Sequence, residues 1–204
     1  MSASEENSAA TTRERWTLTV IRHGQTTANA MGVIQGQDDS PLTEKGKLSS
    51  LAKADKLAQF RFVRVYCSDL PRARATLEIV RGRLPGLPEP VYTSQLREID
   101  FGRYTGARKD QIMETILKHK SDTSLKYPEG ESGDDLAARV DGFIHNLLES
   151  PSGGDVLVVT HYGVMETMAR RYGGFPAGEP FTLGEESVAL LEFGKEGTGR
   201  MEIL

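Results

Sequence analysis

Cysteine is nearly absent from this 204-residue chain: Cys67 stands alone, so no disulfide can form within it. A lone thiol suits a reducing compartment, and the expected location is the cytoplasm. Cys67 closes the strand-like run "VRVYCSDL" and reads as a small buried hydrophobe before it reads as a catalytic thiol. Long apolar runs are missing too. None approaches the roughly 20 residues that span a bilayer, so no membrane partner is expected. The opening "MSASEENSAATTRER" is polar and has no apolar secretion-signal core, which makes residues 1–15 an expected mobile tail. Basic excess is also missing: 25 Lys and Arg against 29 Asp and Glu leave a net charge of −4. That balance argues against nucleic-acid binding, which needs a basic surface. Repeats, low-complexity tracts and linkers are absent, and one domain over residues 16–204 follows. The dinucleotide pattern GxGxxG, the P-loop GxxxxGK[ST] and the GxSxG nucleophile elbow are all missing.

What is present is an alternation. Four runs read as strands: "TLTVI" (17–21), "VRVY" (63–66), "VLVVT" (156–160) and "SVALLEF" (187–193), with "VY" (91–92) as a short fifth. The runs at 17–21 and 156–160 are almost continuously apolar, as strands buried on both faces should be. Between them Thr43 is placed to cap a helix whose apolar stripe starts at Leu48, Leu51 and Ala52. Ser132 with Asp135 forms a capping-box pattern. Leu136, Val140, Phe143 and Leu147 then follow at the spacing of one helix face. Further helices are expected after Pro71 and after His161, and a late hairpin through "GKEGTG" ends the chain. The expected fold class is α/β, with a mainly parallel sheet between helices.

In such a sheet, ligands bind outside the carboxyl ends of the strands. Arg22 and His23 follow the first run. Ser68, Asp69, Arg72 and Arg74 follow the second, Glu98 follows the short run at 91–92, and His161 follows "VLVVT". Arginine forks suit phosphate oxygens. A neutral imidazole can attack phosphorus, a second, protonated imidazole can steady the charged oxygens, and a carboxylic acid can protonate the departing oxygen. Gly24 would let the backbone pass close to the ring or the ligand.

Each residue has a plainer reading. A lone Arg22 would pair with a surface carboxylate, His23 could be an ordinary strand-end histidine, and Glu98 in "LREIDFG" could be a cap or an ion-pair partner. The other arginines of "PRARATLEIVRGR" suit a solvated helix face, and His119 and His145 suit the surface. His23, His161 and Glu98 could also ligate zinc, but Arg22 and Arg72 beside them would repel a cation. Neither metal nor cofactor is expected.

Five segments occur in order: "VIRHGQT", "CSDLPRARATLEI", "LREIDFGRYTG", "YPEGESGDDLAARV" and "VVTHYGV". Together they resemble the histidine phosphatase superfamily in its phosphoglycerate-mutase-like branch, from about Leu18 to Phe193. The resemblance implies a three-layer α/β/α sandwich and a metal-free phosphohistidine reaction. It makes His23 the nucleophile and Glu98 the proton donor. Arg22, Arg72 and His161 become the phosphate pocket, Asn29 a further phosphate contact, and Gln35 and Gly36 a loop beside the substrate. Two departures stand out. Tyr162 replaces a glycine common after the second histidine, where its ring could narrow the pocket or stack on substrate, and Thr105 replaces a glutamate common in "GRYTG".

Mutases of this family carry a longer insertion before the "EGES" segment and usually an arginine after the glutamate. Here Ile99 follows Glu98 and a short segment intervenes, expected as a cap near 107–131. In it Lys109, Lys118, Lys120 and Lys126 could meet a second anion, although a solvated face is the simpler expectation. The expected function is a phosphatase acting on a small phosphorylated metabolite, possible esters including sugar phosphates and bisphosphates. Phosphoglycerate mutase and a non-catalytic phospho-ligand binder are the alternatives.

Overall fold

The computed structural model describes residues 15–150, 152–176, 178–194 and 199–204. Most of the expected tail and most of the "GKEGTG" turn lie outside these residues. In chain order the elements are β1 (Trp16–Arg22), α1 (Thr27–Ala30), α2 (Glu44–Leu57), β2 (Phe62–Ser68), α3 (Pro71–Arg83) and β3 (Pro90–Thr93). After two 3-10 turns (Ser94–Leu96 and Gly102–Tyr104) come α4 (Met113–Ser121), α5 (Gly133–Leu148), β4 (Gly154–Thr160), α6 (Tyr162–Tyr172), β5 (Val188–Phe193) and β6 (Gly199–Ile203).

The six strands form one sheet in the order β3-β2-β4-β1-β5-β6. The pairs β1–β4, β2–β4 and β2–β3 are parallel, whereas β5 runs antiparallel to both β1 and β6. The sheet is therefore mixed, with four parallel strands and an antiparallel edge where the late hairpin was expected. Side chains of β4 alternate as the two-residue repeat of a strand demands. Val156 and Val158 join the core beneath α5 and α6, while Leu157 and Val159 join the core beneath α2 and α3. All four are fully buried, each worth about 1.5–3 kcal/mol of transfer free energy. These two cores, one on each face, make the three-layer α/β/α sandwich.

Local signals set the helix starts. The Thr43 hydroxyl accepts from the Gly46 N–H at 3.0 Å. Ser132 and Asp135 close a reciprocal capping box, at 3.0 Å to the Asp135 N–H and 2.9 Å from the Ser132 N–H, an arrangement worth about 1 kcal/mol. Leu136, Val140, Phe143 and Leu147 are all buried as the spacing predicts.

The stripe expected on α2 is wrong. Leu48 and Leu51 are 66% and 40% exposed, and the buried face instead carries Gly46, Ser49, Ser50, Lys53, Ala54 and Leu57. The reason is a close backbone crossing. A Cβ on Gly46 would fall 2.1 Å from the Gln25 carbonyl oxygen, and one on Gly24 would fall 2.3 Å from the Gly46 carbonyl oxygen. Small residues face the strand end because larger ones would push the helix away.

The stretch 107–131 carries α4 and is pinned at both ends. Val33 bridges to Arg108 and Lys126 to Ser132. Within it the His119 ring stacks on Tyr127 with centroids 4.0 Å apart, so His119 is half-buried and not a free surface residue. His145 is exposed, as expected. Among the described residues, no helix is long and apolar enough to cross a membrane.

Candidate active site

The ladder between β1 and β4 explains how two distant histidines meet. Arg22 pairs with Thr160, and the His23 N–H continues the pattern by donating to the Thr160 carbonyl at 2.9 Å. His23 and His161 thus leave adjacent parallel strands together, with ring centroids 5.1 Å apart. Both side chains are buried.

The tautomer of His23 follows from its neighbours. Nδ1 lies 2.7 Å from the Gly24 carbonyl oxygen, which can only accept, so Nδ1 carries the proton. Nε2 then bears the lone pair, and it receives the Arg72 Nε–H at 3.3 Å. Arg72 is itself clamped, donating to the carbonyls of Asp38 and Gly36 at 2.7 Å each. The Gly36 loop therefore aims Arg72. Gly36 has φ +52°, and a Cβ there would meet the Thr105 hydroxyl at 3.1 Å. Thr105 thus packs against the loop.

Burial, then Arg22, Arg72 and Lys53 beside it, holds the His23 imidazole well below its ordinary range, with only the Gly24 carbonyl acting the other way. His161 is likewise held well below, by burial first and then by His23, Arg72, Arg22 and Arg139. The expectation of a protonated second imidazole is therefore corrected: without an anion nearby, a buried ring among cations stays neutral. A neutral His161 can still donate from one nitrogen. Its Nε2 lies 2.7 Å from the Ser68 hydroxyl, while Nδ1 has no partner among the described residues. The Arg22 Nε also lacks one.

Glu98 lies across from these groups. Its carboxylate accepts from the Gly163 N–H at 3.1 and 3.2 Å, at the first turn of α6, and from the Ile99 N–H at 3.0 Å. A Cβ at Gly163 would sit 2.2 Å from Glu98 Oε1, so glycine is what lets the carboxylate reach this helix end. Behind it, Arg139 grips the loop, donating to the carbonyls of Gln95, Arg97 and Glu98 at 3.0–3.2 Å while paired with Glu131 at 2.8 Å.

The other anticipated residues fall as follows. Asn29 closes a capping box with Thr26, its Oδ1 accepting from the Thr26 N–H at 3.2 Å. Gln35 is buried, with Oε1 unpartnered among the described residues. The Tyr162 hydroxyl donates to the Phe181 carbonyl at 2.6 Å, and its ring has the Arg22 guanidinium 5.9 Å and the Lys120 ammonium 5.5 Å from its centroid. Of the four lysines in 107–127, Lys120 is the one placed at Tyr162, paired with Glu166 at 2.7 Å. Lys126 pairs with Asp135 at 3.1 Å, and Lys109 and Lys118 are exposed. Asp69 forms a fork with Arg97 at 2.6 and 2.7 Å. Arg74 lies 4.1 Å from the Tyr92 ring centroid. Cys67 is fully buried, its thiol pushed up to about 12 mainly by burial.

The expectation that Gly24 serves the ring or a ligand is also corrected, since its space is taken by Gly46 of α2. Ser68, Gly163, Lys53 and Arg139 belong to the same neighbourhood and were not singled out as site residues from sequence. Only Ser68, at the carboxyl end of β2, carried a positional signal. Among the described residues, no group of three or more His, Cys, Asp or Glu is arranged to hold a metal ion.

The sequence profile of the histidine phosphatase superfamily (branch 1) matches residues 18–202. The chain belongs to that superfamily. It is an enzyme of the phosphatase class, and relatives of this superfamily member carry several names. It is 31% identical over 163 residues to a probable phosphoglycerate mutase GpmB of Shigella dysenteriae, covering 78% of this chain and 75% of that protein. The structure of a phosphoglycerate mutase from Bacillus anthracis matches with a TM-score of 0.79 at 26% identity, covering 95% of this chain and 94% of that one. A mycobacterial glucosyl-3-phosphoglycerate phosphatase, in complex with VO3, matches with a TM-score of 0.79 at 26% identity, covering 93% and 97%. A putative alpha-ribazole-5'-P phosphatase from Escherichia coli matches with a TM-score of 0.78 at 27% identity, covering 93% and 95%.

Proposed function

We propose that this protein hydrolyses small phosphate monoesters without a metal, through a phosphohistidine on His23. The observation that carries the reading is the unprotonated Nε2 of His23: its other nitrogen is tied to Gly24, and Nε2 accepts from Arg72 in the neighbourhood of the unpartnered Arg22 Nε and His161 Nδ1. Guanidinium groups beside a nucleophilic nitrogen suit a phosphoryl dianion. Asn29, Gln35, Gly36 and Tyr162 complete the proposed pocket around it.

In the first step Nε2 attacks phosphorus as the phosphorus–ester oxygen bond breaks, and protonated Glu98 gives its proton to the departing oxygen. The Gly24 carbonyl steadies the positive charge that develops on the ring. In the second step Glu98, now a carboxylate, takes a proton from water as the water oxygen attacks phosphorus and the nitrogen–phosphorus bond breaks. Phosphate leaves and neutral His23 returns. Arg22, Arg72 and the Nδ1–H of His161 hold the oxygens whose charge redistributes.

The test is phosphate release, with a chelator present, from p-nitrophenyl phosphate, sugar mono- and bisphosphates, phosphoglycerates and phosphoserine. Turnover that disappears in His23→Ala supports the reading. Isomerised phosphoglycerate with little phosphate release would replace it with a mutase, the activity named for two of the relatives. Binding of these esters without any turnover would replace it with a phospho-ligand receptor. The intended ester is expected among small phosphorylated metabolites, and the panel would begin to name it.

A further inference from the structure

Lys53 lies midway along α2 beneath the carboxyl end of β1, and the residue is only 1% exposed. Its ammonium donates to the Arg22 carbonyl oxygen at 2.8 Å, and among the described residues no carboxylate lies within ion-pair distance of it. The carboxylates that act on it do so from beyond that distance: Glu185, which pairs with Lys45 at 2.9 Å and accepts from Gln25 at 3.1 Å, and Glu186, whose backbone carbonyl accepts from Lys56 at 3.0 Å. A buried ammonium with no carboxylate at ion-pair distance is costly, and a group so perturbed beside a candidate site points to a role in that site. The Arg22 guanidinium opposes its charge, Glu185 and Glu186 favour it, and Lys53 in turn acts on the His23 ring.

We propose that Lys53 is a positioning residue of the phosphoryl site. It holds the Arg22 carbonyl, and with it the Arg22–His23 turn, and supplies a third positive charge that is balanced when a dianion binds. This rests on the phosphoryl-site reading above. In the free protein burial, then Arg22, brings the Lys53 ammonium down to about 8, with Glu185 and Glu186 pulling the other way. A bound dianion favours the charged form, so its affinity should fall as pH rises through about 8, and binding just above that pH should take up a proton. The other groups facing Lys53 do not produce this limb. His23 and His161 titrate below neutrality, Glu185 is paired with Lys45, Lys56 is half-buried with its ammonium on the Glu186 carbonyl, and Asp55 is paired with Arg83 of α3.

The probe is tungstate, a tetrahedral oxyanion that is doubly charged at neutral and mildly alkaline pH, titrated calorimetrically into wild type and Lys53→Met. At pH 7 the variant should bind at least about tenfold more weakly, and the fall in affinity near pH 8 should vanish. The unliganded variant should melt at a higher temperature than wild type, because the cost of burying the ammonium is gone. A variant that melts lower yet binds tungstate with wild-type affinity and pH dependence would overturn the proposal and make Lys53 an ordinary structural contact. If Lys53→Met does not fold, wild type decides: proton uptake measured just above pH 8 in two buffers of different ionisation enthalpy supports the proposal, and none overturns it. Wild type that binds no tungstate at all would bring down the phosphoryl-site reading itself.

Discussion

Gly163→Ala separates stability from chemistry. Gly163 occupies the first turn of α6 with ordinary helical geometry, so alanine fits the backbone and adds up to about 1 kcal/mol of helix propensity. The added Cβ would nevertheless lie 2.2 Å from Glu98 Oε1, well inside the roughly 3.5 Å at which carbon and oxygen come to rest. The carboxylate is the free end of a side chain, so it gives way by about 1 Å and loses both N–H bonds from Gly163. A 1 Å misplacement of a reacting group costs about a hundredfold in rate, and loss of general acid catalysis costs 10²–10⁴-fold. We therefore expect a variant that melts at or above the wild-type temperature, with single-turnover phosphoryl transfer from an alkyl phosphate slowed at least about a hundredfold. p-Nitrophenyl phosphate, whose leaving group hardly needs a proton, should suffer less. Wild-type rates on the alkyl ester would refute the assignment of Glu98 as the acid. Equal losses on both esters would refute it too, by tracing the defect to another step.

Ser68→Ala removes the hydroxyl that fixes His161, and kcat/KM should drop about tenfold, in line with a lost buried hydrogen bond of about 1–2 kcal/mol. Unchanged kcat/KM would show that His161 holds its place without it. Both histidines are held below their ordinary range in the fold and return to it on unfolding. Their contribution to stability is therefore full above about pH 6.5 and is lost as pH falls toward the depressed folded values. Urea midpoints measured from pH 7.5 down to 5 should decline, and His161→Gln should flatten the decline; a midpoint flat in wild type would contradict the burial argument. Gly24→Ala forces a Cβ to 2.3 Å from the Gly46 carbonyl oxygen, a backbone atom that cannot step aside. A loss of about 3 kcal/mol or more in unfolding free energy is expected, and a wild-type denaturation midpoint would rule out the crossing as described.

The sequence is most informative where chemistry and local geometry coincide. Arg22, His23, Arg72, Glu98 and His161 each follow a strand, so a parallel sheet alone predicts that they meet. Ser132 and Asp135 announce α5 within four residues. The α2 stripe misleads because Leu48 and Leu51 satisfy helical periodicity while the true inward face is set by a backbone crossing between Gly24 and Gly46, a contact 22 residues apart in the chain. Gly163 and Lys53 escape notice for a related reason. A glycine after Tyr162 means little until Glu98 is known to lie against it, and a lysine in "SLAKADKL" looks solvated until the helix is docked on β1. The protonation of His161 could not be read from residue types, since it depends on how completely the ring is buried among cations.

The central claim is a covalent phosphoryl group on His23. The most direct test mixes wild type with a rapidly cleaved ester, quenches in base, where phosphohistidine survives, and maps the modified peptide by mass spectrometry beside Glu98→Gln. A single phosphoryl adduct on the peptide carrying His23, accumulating in the Glu98→Gln variant because its hydrolysis is slowed, is the predicted result. Steady phosphate release with no adduct on His23, or with the adduct on another residue, would contradict the account.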